Sequence, residues 1–369
     1  YNAHDTLPRT LASILSQVIV DDLTVTIVDD ASTNGGYSEI IEKFSPFMDI
    51  KEIKLDKNGG PGVARQCGID NTNNPLFTFI DADDTFSGAF ALKELRRQLE
   101  ENEIYHTCVG TFVEENQENV YLSHPNDFVW VFGKLYKRSF IEKYNIHFNE
   151  TRANEDNGFN TLIRLCSNDY EQIKFIPDVV YYWHMRPDSI TRINNNEYSY
   201  NQSFVGYVDN MIYAIQEAKK RNPFNGYIDL WTVQTLCNLY EYYIETEARD
   251  PRFSDQNLEC CRKFYWEAYK GIEDKITEQI LAEQYSLVMR NSMDKLLGVI
   301  PCMSIHEFIN EIGSRKYKEE IIEEPLKTAK KSTRKSSKSN SKVKAPKEYK
   351  GPINVVESIN LTSTEELKE

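Results

Sequence analysis

No two cysteines in this chain stand in Cys-x-x-Cys spacing, and the seven present (Cys67, Cys108, Cys166, Cys237, Cys260, Cys261, Cys302) are an odd number. That combination excludes a closed disulfide framework and a zinc knuckle, and reads as inert thiols in a reducing compartment. No apolar run approaches the ~18 residues that a membrane-crossing helix needs, and the opening residues do not read as a signal peptide, so none is expected. The compartment expected from these absences is the cytoplasm, with peripheral contact to a membrane kept open. The Gly-x-x-x-x-Gly-Lys-Ser/Thr spacing of a P-loop is missing, as is any internal repeat. Positive charge is also scarce: 43 Lys and Arg stand against 57 Asp and Glu, for a net charge of -14.

The charge is unevenly spread. Between Pro325 and Lys350 ten Lys or Arg face a single acid, Glu348, a local +9 that leaves -14 - 9 = -23 for the remainder. An acidic body is a poor nonspecific binder of nucleic acid or anionic lipid. The Lys/Ser-rich stretch has too few apolar residues to build a core, so residues 325–369 are expected to be a disordered tail. As a solvated linker it needs no partner; alternatively it tethers the protein to nucleic acid or an anionic surface, with strong salt dependence.

The remaining residues, in a chain of 369 with 40% hydrophobic and 27% charged content, suffice for two globular domains. Up to about residue 115 helix and strand signals alternate. Thr6-Leu7-Pro8 reads as a helix start, with Thr6 as cap and Leu11, Ile14, Leu15 and Val18 at helical spacing. Strands are expected over 23–28, 50–55 and 76–80, and helices over 37–44 and 63–69. Such alternation, in units of roughly 25 to 30 residues, implies an α/β fold with a mostly parallel sheet. A first strand is missing from the start, which suggests a few absent upstream residues. The pattern then loosens, with strands over 105–112 and 120–122 and helices over 137–144 and 158–166. From 196 to 324 it turns helical and aromatic, with helices over 198–221, 227–249, 257–269, 275–293 and 305–317. Tyr207, Tyr213, Tyr240, Tyr243, Tyr265 and Tyr269 are read as bundle core rather than a cofactor box. The expected domains are thus 1–195, 196–324 and the tail.

In a parallel α/β sheet, ligands sit beyond the carboxyl ends of the strands. Two apolar runs end there in acids: Val25 to Val28 in Asp29-Asp30, and Phe77 to Ile80 in Asp81-Ala82-Asp83-Asp84. Three carboxylates in four residues repel one another unless a cation or a hydrogen-bond donor shares them, so the second cluster reads as a metal or sugar-hydroxyl site. An Asp-rich turn also serves simply as a loop and helix cap. Asn58-Gly59-Gly60-Pro61-Gly62 precedes a helix bearing Arg65, and glycines with a helix N-terminus and an Arg one turn in favour an anion such as a diphosphate. Glu155-Asp156 is a third acidic pair. Neighbours on a helix project about 100° apart, so one acid can cap while the other acts as a base, or both complement the helix dipole. Tyr181 to Arg192 gathers His184, Arg186, Ser189 and Arg192 after a strand, donors that suit a diphosphate, with His184 able to complete a metal shell or to make an ordinary hydrogen bond.

Six segments in order, Tyr1-Asn2, Leu11 to Gln17, Val28 to Ser32, Asn58 to Arg65, Asp81 to Asp84 and Glu155-Asp156, resemble the motifs of family 2 glycosyltransferases of the GT-A fold. The resemblance covers roughly residues 1–195 and implies an inverting, metal-dependent enzyme that moves a sugar from a nucleotide-sugar donor, usually a UDP-sugar, to a hydroxyl on a saccharide, polymer or modified nucleic acid base. It implies that Asp30 meets the nucleotide base, that Arg65 lies close to the nucleotide, and that Asp81 and Asp83 contact the donor. Asp83 or Asp84, with His184, would hold Mn²⁺ or Mg²⁺, Asp156 would be the general base, and Arg186 and Ser189 would lie against the diphosphate. Nothing in the C-terminal half resembles the family. A nucleotidyltransferase, which would release pyrophosphate, and a non-catalytic scaffold are the alternatives.

Overall fold

The computed structural model of the chain describes residues 1–115, 121–167, 170–185, 197–249 and 251–322. Arg186, Ser189 and the tail from Pro325 lie outside them. The described residues divide into two units, the first formed by 1–148 and 167–185, the second by 149–166 and those from 197 to 322.

The first unit opens with helix α1 (Leu7–Leu15), whose Leu7, Leu11 and Ile14 enter the core. Pro8 sits in its first turn, where a missing N–H costs nothing. Thr6 does not cap it through its side chain, and Val18, beyond the helix end, is half exposed. Strands β1 (Thr24–Asp29) and β2 (Asp49–Lys54), with α2 (Ser38–Phe44) between them, pair in parallel from Thr24↔Asp49 to Asp29↔Lys54. Helix α3 (Pro61–Asp70) follows. The second sheet contains β3 (Leu76–Phe77), β4 (Thr85–Phe86), β5 (Thr107–Glu115), β6 (Tyr121–His124), β7 (Lys134–Lys137) and β8 (Ile173–Trp183), in the order β3-β7-β5-β8-β4 with β6 beside β5.

The α/β class and the helical region expected from the sequence are present, but the sheet is mixed rather than mostly parallel. β1–β2 and β5–β8 are parallel, while β3–β7, β5–β7, β5–β6 and β4–β8 are antiparallel. β6 follows closely on β5 and pairs with it in reverse, as a strand so near in sequence can, while the other antiparallel pairs join strands farther apart in sequence. The strand expected over 76–80 shrinks to two residues, after which Phe79 bridges Phe132. Helix α4 (Ala91–Glu101), which the sequence reading passed over, lays Leu92, Leu95 and Leu99 on the core beside Phe112, Phe132 and Tyr181. β5 is buried almost end to end, and Gly110 lets Val180 of β8 come close, since a Cβ there would stand 2.4 Å from a Val180 methyl.

The second unit is helical: α6 (Glu155–Cys166), α7 (Glu197–Arg221), α8 (Tyr227–Arg249), α9 (Ser254–Phe264), α10 (Glu278–Asn291) and α11 (Ile305–Gly313); the short α5 (Arg138–Lys143) belongs to the first unit. The helix expected over 257–269 runs as α9 and then a π-helical turn, Tyr265–Tyr269. Tyr207, Tyr240, Tyr243, Tyr265 and Tyr269 are buried and Tyr213 is half-buried, as core aromatics. A Ser304/Glu307 capping box starts α11. α6 and α7 approach through Gly206, where a Cβ would lie 2.5 Å from the Ala153 carbonyl oxygen.

Glu241 on α8 is a buried carboxyl in that unit, and its Oε1 has no hydrogen-bond partner. Burial pushes it up from the ordinary 4.5 to about 7, opposed by Lys295 and reinforced by Glu245. Below pH ~4.5 folded and unfolded chains both hold the proton; between there and about 7 only the folded chain does, so stability is lost as pH rises through that window. Glu241→Gln removes this slope and raises the melting temperature by a few degrees at pH 8 with little change at pH 4.5, measured by calorimetry across the pH range.

Candidate functional site

The site is built on one face of α1. Arg9, Thr10, Ser13 and Gln17 recur at helical spacing beside the apolar stripe, and each reaches the segment 83–92. The Arg9 guanidinium donates to the Asp83 carbonyl and the Thr10 hydroxyl to the Asp84 carbonyl at 2.8 Å. Ser13 Oγ accepts from the Phe86 N–H at 3.3 Å. The Gln17 amide donates to the Gly88 carbonyl at 2.6 Å and accepts from the Leu92 N–H at 3.1 Å. The backbone of the acid turn is therefore held from behind, with its carboxylates turned to other partners.

Those partners differ for each acid. Asp84 is buried, at 1% exposure; its Oδ2 accepts from the Tyr181 hydroxyl at 2.7 Å and its Oδ1 from the His184 N–H at 2.9 Å. Burial, with Asp81 and Asp83 adding to it, raises its pKa well above the ordinary value, and the two bonds work against that rise. Tyr181 is wholly buried, stacks on Phe132 with centroids 4.6 Å apart, and accepts from the Asp81 N–H at 3.2 Å, so one phenol oxygen spans both ends of the turn. Asp81 is half-buried, and its Oδ1 lies 2.9 Å from the Arg65 guanidinium. Asp83 is also half-buried. His184 rests with Nε2 2.8 Å from Thr85 Oγ1 and Nδ1 3.3 Å from Glu115 Oε2, and the same Glu115 oxygen accepts from the Met185 N–H at 3.2 Å. Burial first and Arg9 second lower the His184 pKa, against the pull of Glu115.

The other edge of the site comes from the end of β1. Asp30 accepts from the Gly59 N–H at 2.7 Å and the Gly60 N–H at 2.9 Å, one on each carboxylate oxygen, and its carbonyl accepts from the Asn58 side chain at 3.1 Å. Gly60 has φ +92°, a conformation that suits glycine, and helix α3 begins at the next residue. Asp29 is buried behind, accepting from the Ser32 N–H at 2.9 Å. The structure thus brings Asp30, the glycine-rich turn, Arg65, Asp81, Asp83, Asp84 and His184 into one unit. Asp156 belongs to the other unit, buried in the first turn of α6 after Asn154, whose φ is +60° and whose amide donates to the Ser203 carbonyl at 2.7 Å.

Among the described residues no group of three or more His, Cys, Asp or Glu side chains forms a ready cage for a metal ion. Three carboxylates in four residues are nevertheless hard oxygen ligands of the kind Mg²⁺ and Mn²⁺ take, and such ions are commonly held by one or two carboxylates with phosphate and water completing the shell. The residues present fit that arrangement.

Residues 1–153 match the model of glycosyl transferase family 2. The matched residues include the acid turn, the glycine-rich turn and Arg65. EpsJ of Bacillus subtilis, described as an uncharacterised glycosyltransferase, is 24% identical over 216 residues, which are 52% of this chain and 61% of EpsJ. The glycosyltransferase GlyA of Streptococcus pneumoniae is 24% identical over 220 residues, 52% of this chain and 30% of GlyA. The chain therefore spans less than two thirds of either relative. A crystal structure of residues 1–349 of Staphylococcus aureus TarS in complex with UDP-GlcNAc superposes with a TM-score of 0.61 at 17% identity, covering 80% of this chain and 89% of that one, a likeness that shows the fold.

Sequence reasoning missed the groups that hold the acids: Arg9, Thr10, Thr85, Glu115 and Tyr181. The polar stripe carried a signal, because Arg9, Thr10 and Ser13 on α1 and Gln17 just past its end stand among apolar residues at spacings of three and four. Glu115 and Tyr181 carried none, since pairing between distant strands brings Tyr181 to Asp84 across 97 residues and Glu115 to His184 across 69. Tyr181→Phe leaves the Asp84 Oδ2 buried without its donor. The expected loss of stability is about 1–3 kcal/mol, read from denaturant unfolding with the slope unchanged.

Proposed function

We propose that the protein is an inverting glycosyltransferase that takes a nucleoside diphosphate sugar, most simply a UDP-sugar, and transfers the sugar to a hydroxyl of a polymer or glycan acceptor. The observation that carries this reading is the acid turn Asp81 to Asp84, pinned by α1 and β8 and set beside Arg65 and a glycine-rich helix start, inside a domain that matches family 2. The donor and acceptor classes are supported by relatives: TarS, named as a poly(ribitol-phosphate) β-N-acetylglucosaminyltransferase, is 24% identical over 201 residues, and its structure has been solved with UDP-GlcNAc.

In this reading Asp81 and Asp83, both partly exposed, would hold Mn²⁺ or Mg²⁺, while buried Asp84 fixes the turn that presents them. A bound cation supplies positive charge for the departing diphosphate. Arg65, the guanidinium beside Asp81, is placed to meet an anionic donor once that ion pair opens. Gly59 and Gly60 allow close approach of the donor to the backbone, and Asp30 keeps them in place; the same carboxylate is the group proposed to meet the base. Asp156 is proposed as the general base that takes the acceptor's proton, so that the acceptor oxygen forms the new bond as the bond to the diphosphate breaks, with inversion in one displacement.

The purified chain with Mn²⁺ is expected to release UDP from at least one UDP-sugar in a donor screen. Asp156→Asn should lower transfer by roughly 10²- to 10⁴-fold, the usual contribution of a general base, while UDP binding by calorimetry stays within about twofold. Unchanged turnover in that variant would remove Asp156 from the role. Asp83→Asn should instead weaken UDP binding in the presence of Mn²⁺ by about tenfold or more and leave metal-free binding nearly unaltered. Equal affinity with and without the substitution would move the cation off Asp83.

A further inference from the structure

Glu115, the last residue of β5, has no assigned part in the reading above, yet it sits at the centre of a chain of bonds that ends on the acid turn. Its Oε2 accepts from the Met185 N–H at 3.2 Å and lies 3.3 Å from His184 Nδ1. The far ring nitrogen, Nε2, is 2.8 Å from Thr85 Oγ1. A carboxylate only accepts, so the ring proton sits on Nδ1 and points at Glu115, which leaves Nε2 to accept from the Thr85 hydroxyl. Thr85 directly follows Asp84, and the His184 backbone N–H donates to Asp84 Oδ1 at 2.9 Å. Successive amides, 184 and 185, are thus taken by two carboxylates, one from the turn before β4 and one from the end of β5. The imidazole between them is fixed in one tautomer.

We propose that Glu115 is a positioning residue for the metal and diphosphate half of the donor site: it sets the His184 ring, and through Thr85 and the His184 amide it holds the Asp81 to Asp84 turn in the geometry that receives the donor. His184 serves this chain as a spacer between two protein groups rather than as a ligand of the ion. Glu115 suits the task electrostatically. Burial alone would raise its carboxyl, but the bonds from the Met185 amide and from His184 outweigh burial and hold it below the ordinary range. It stays a charged acceptor at neutral pH, and the bonds it makes are of the stronger, charge-assisted kind.

The inference rests on reading this unit as a nucleotide-sugar site, so the test separates the two. Wild type, Glu115→Ala, Glu115→Gln and Thr85→Val are compared by hydrogen exchange at the 184 and 185 amides, by UDP binding calorimetry with Mn²⁺, and by melting temperature. Glu115→Ala should speed exchange at Met185 and weaken UDP binding by about tenfold, the effect of losing one charge-assisted bond. Glu115→Gln, whose amide oxygen still accepts, should stay within about threefold of wild type. Thr85→Val, which breaks the chain at its other end without changing shape, should weaken binding in the same direction and keeps the test in hand should Glu115→Ala not fold. A folded Glu115→Ala that binds UDP as wild type does overturns the proposal, as does Glu115→Gln losing as much as Glu115→Ala. Wild type that binds no UDP, yet exchanges faster at Met185 once Glu115 is removed, defeats the donor-site reading and the positioning role with it, while the bond network stands.

Discussion

A carboxyl group at 1% exposure, one residue from a second acid and three from a third, is a costly thing to fold around. Asp84 is such a group, and the rest of the site depends on how it is accommodated. The Tyr181 hydroxyl and the His184 amide together put a donor on each oxygen, which is the minimum that keeps a buried carboxylate from standing as an unpaired charge. Both donors come from β8 and its end, so the pairing of β4 with β8, Phe86↔Tyr181 and Thr85↔Tyr182, has to be in this register. A slip of one residue would turn Tyr181 to the other face of the sheet and leave Asp84 with nothing to face. Fold and site are thus tied at a single strand pair two residues long.

The same arrangement explains why the three acids do not act alike. A turn whose third carboxylate is buried has its backbone direction settled, and the first two are left at the rim, half-buried, where a cation or a sugar hydroxyl can reach them. Helix α1 reinforces this from behind through backbone carbonyls, so Arg9 and Thr10 fix the turn without drawing on the carboxylates themselves. Asp30 performs a comparable task at the opposite edge, where its two oxygens hold two successive glycine amides. In each place a carboxylate orders backbone of the proposed donor site through bonds within the protein, so that in this reading the ordering precedes the ligand.

Much of this was legible from residue chemistry and period. Helix α8 runs from Tyr227 to Arg249 as its spacing indicates, and β1 and β2 fall within one residue of their expected positions, because each has a strong local pattern. Asp30, Arg65 and the acid cluster stood out by type alone, and the fold gathers them in one unit. What failed to show was everything set by pairing between distant segments. The antiparallel β3–β7 and β4–β8 ladders are only two residues long and have no periodicity to read. Phe79 and Ile80 look like strand and serve instead as a bridge and a core wall. Helix α4 is a different case, since Leu92, Leu95 and Leu99 carry a plain helical period that was open to reading.

Asp156 shows how the second unit solves its own version of the problem. The acid pair Glu155-Asp156 is buried at the start of α6, where the first-turn amides and the helix dipole favour negative charge. The turn that leads into it needs a left-handed Asn154, and that conformation is held by the Asn154 amide on the Ser203 carbonyl and by Asn210, which donates to Thr151 Oγ1 at 2.7 Å and to the Ala153 carbonyl at 3.1 Å. Gly206 makes this possible, because any side chain there would displace the Ala153 carbonyl from beneath the helix start. The long helix α7, which bears no acid of the motif, therefore fixes the carboxylate that does. A helical segment without any family signature in its sequence is in this way a structural requirement for the position of Asp156, and its contribution lies in one carbonyl, one glycine and one side-chain amide rather than in chemistry of its own.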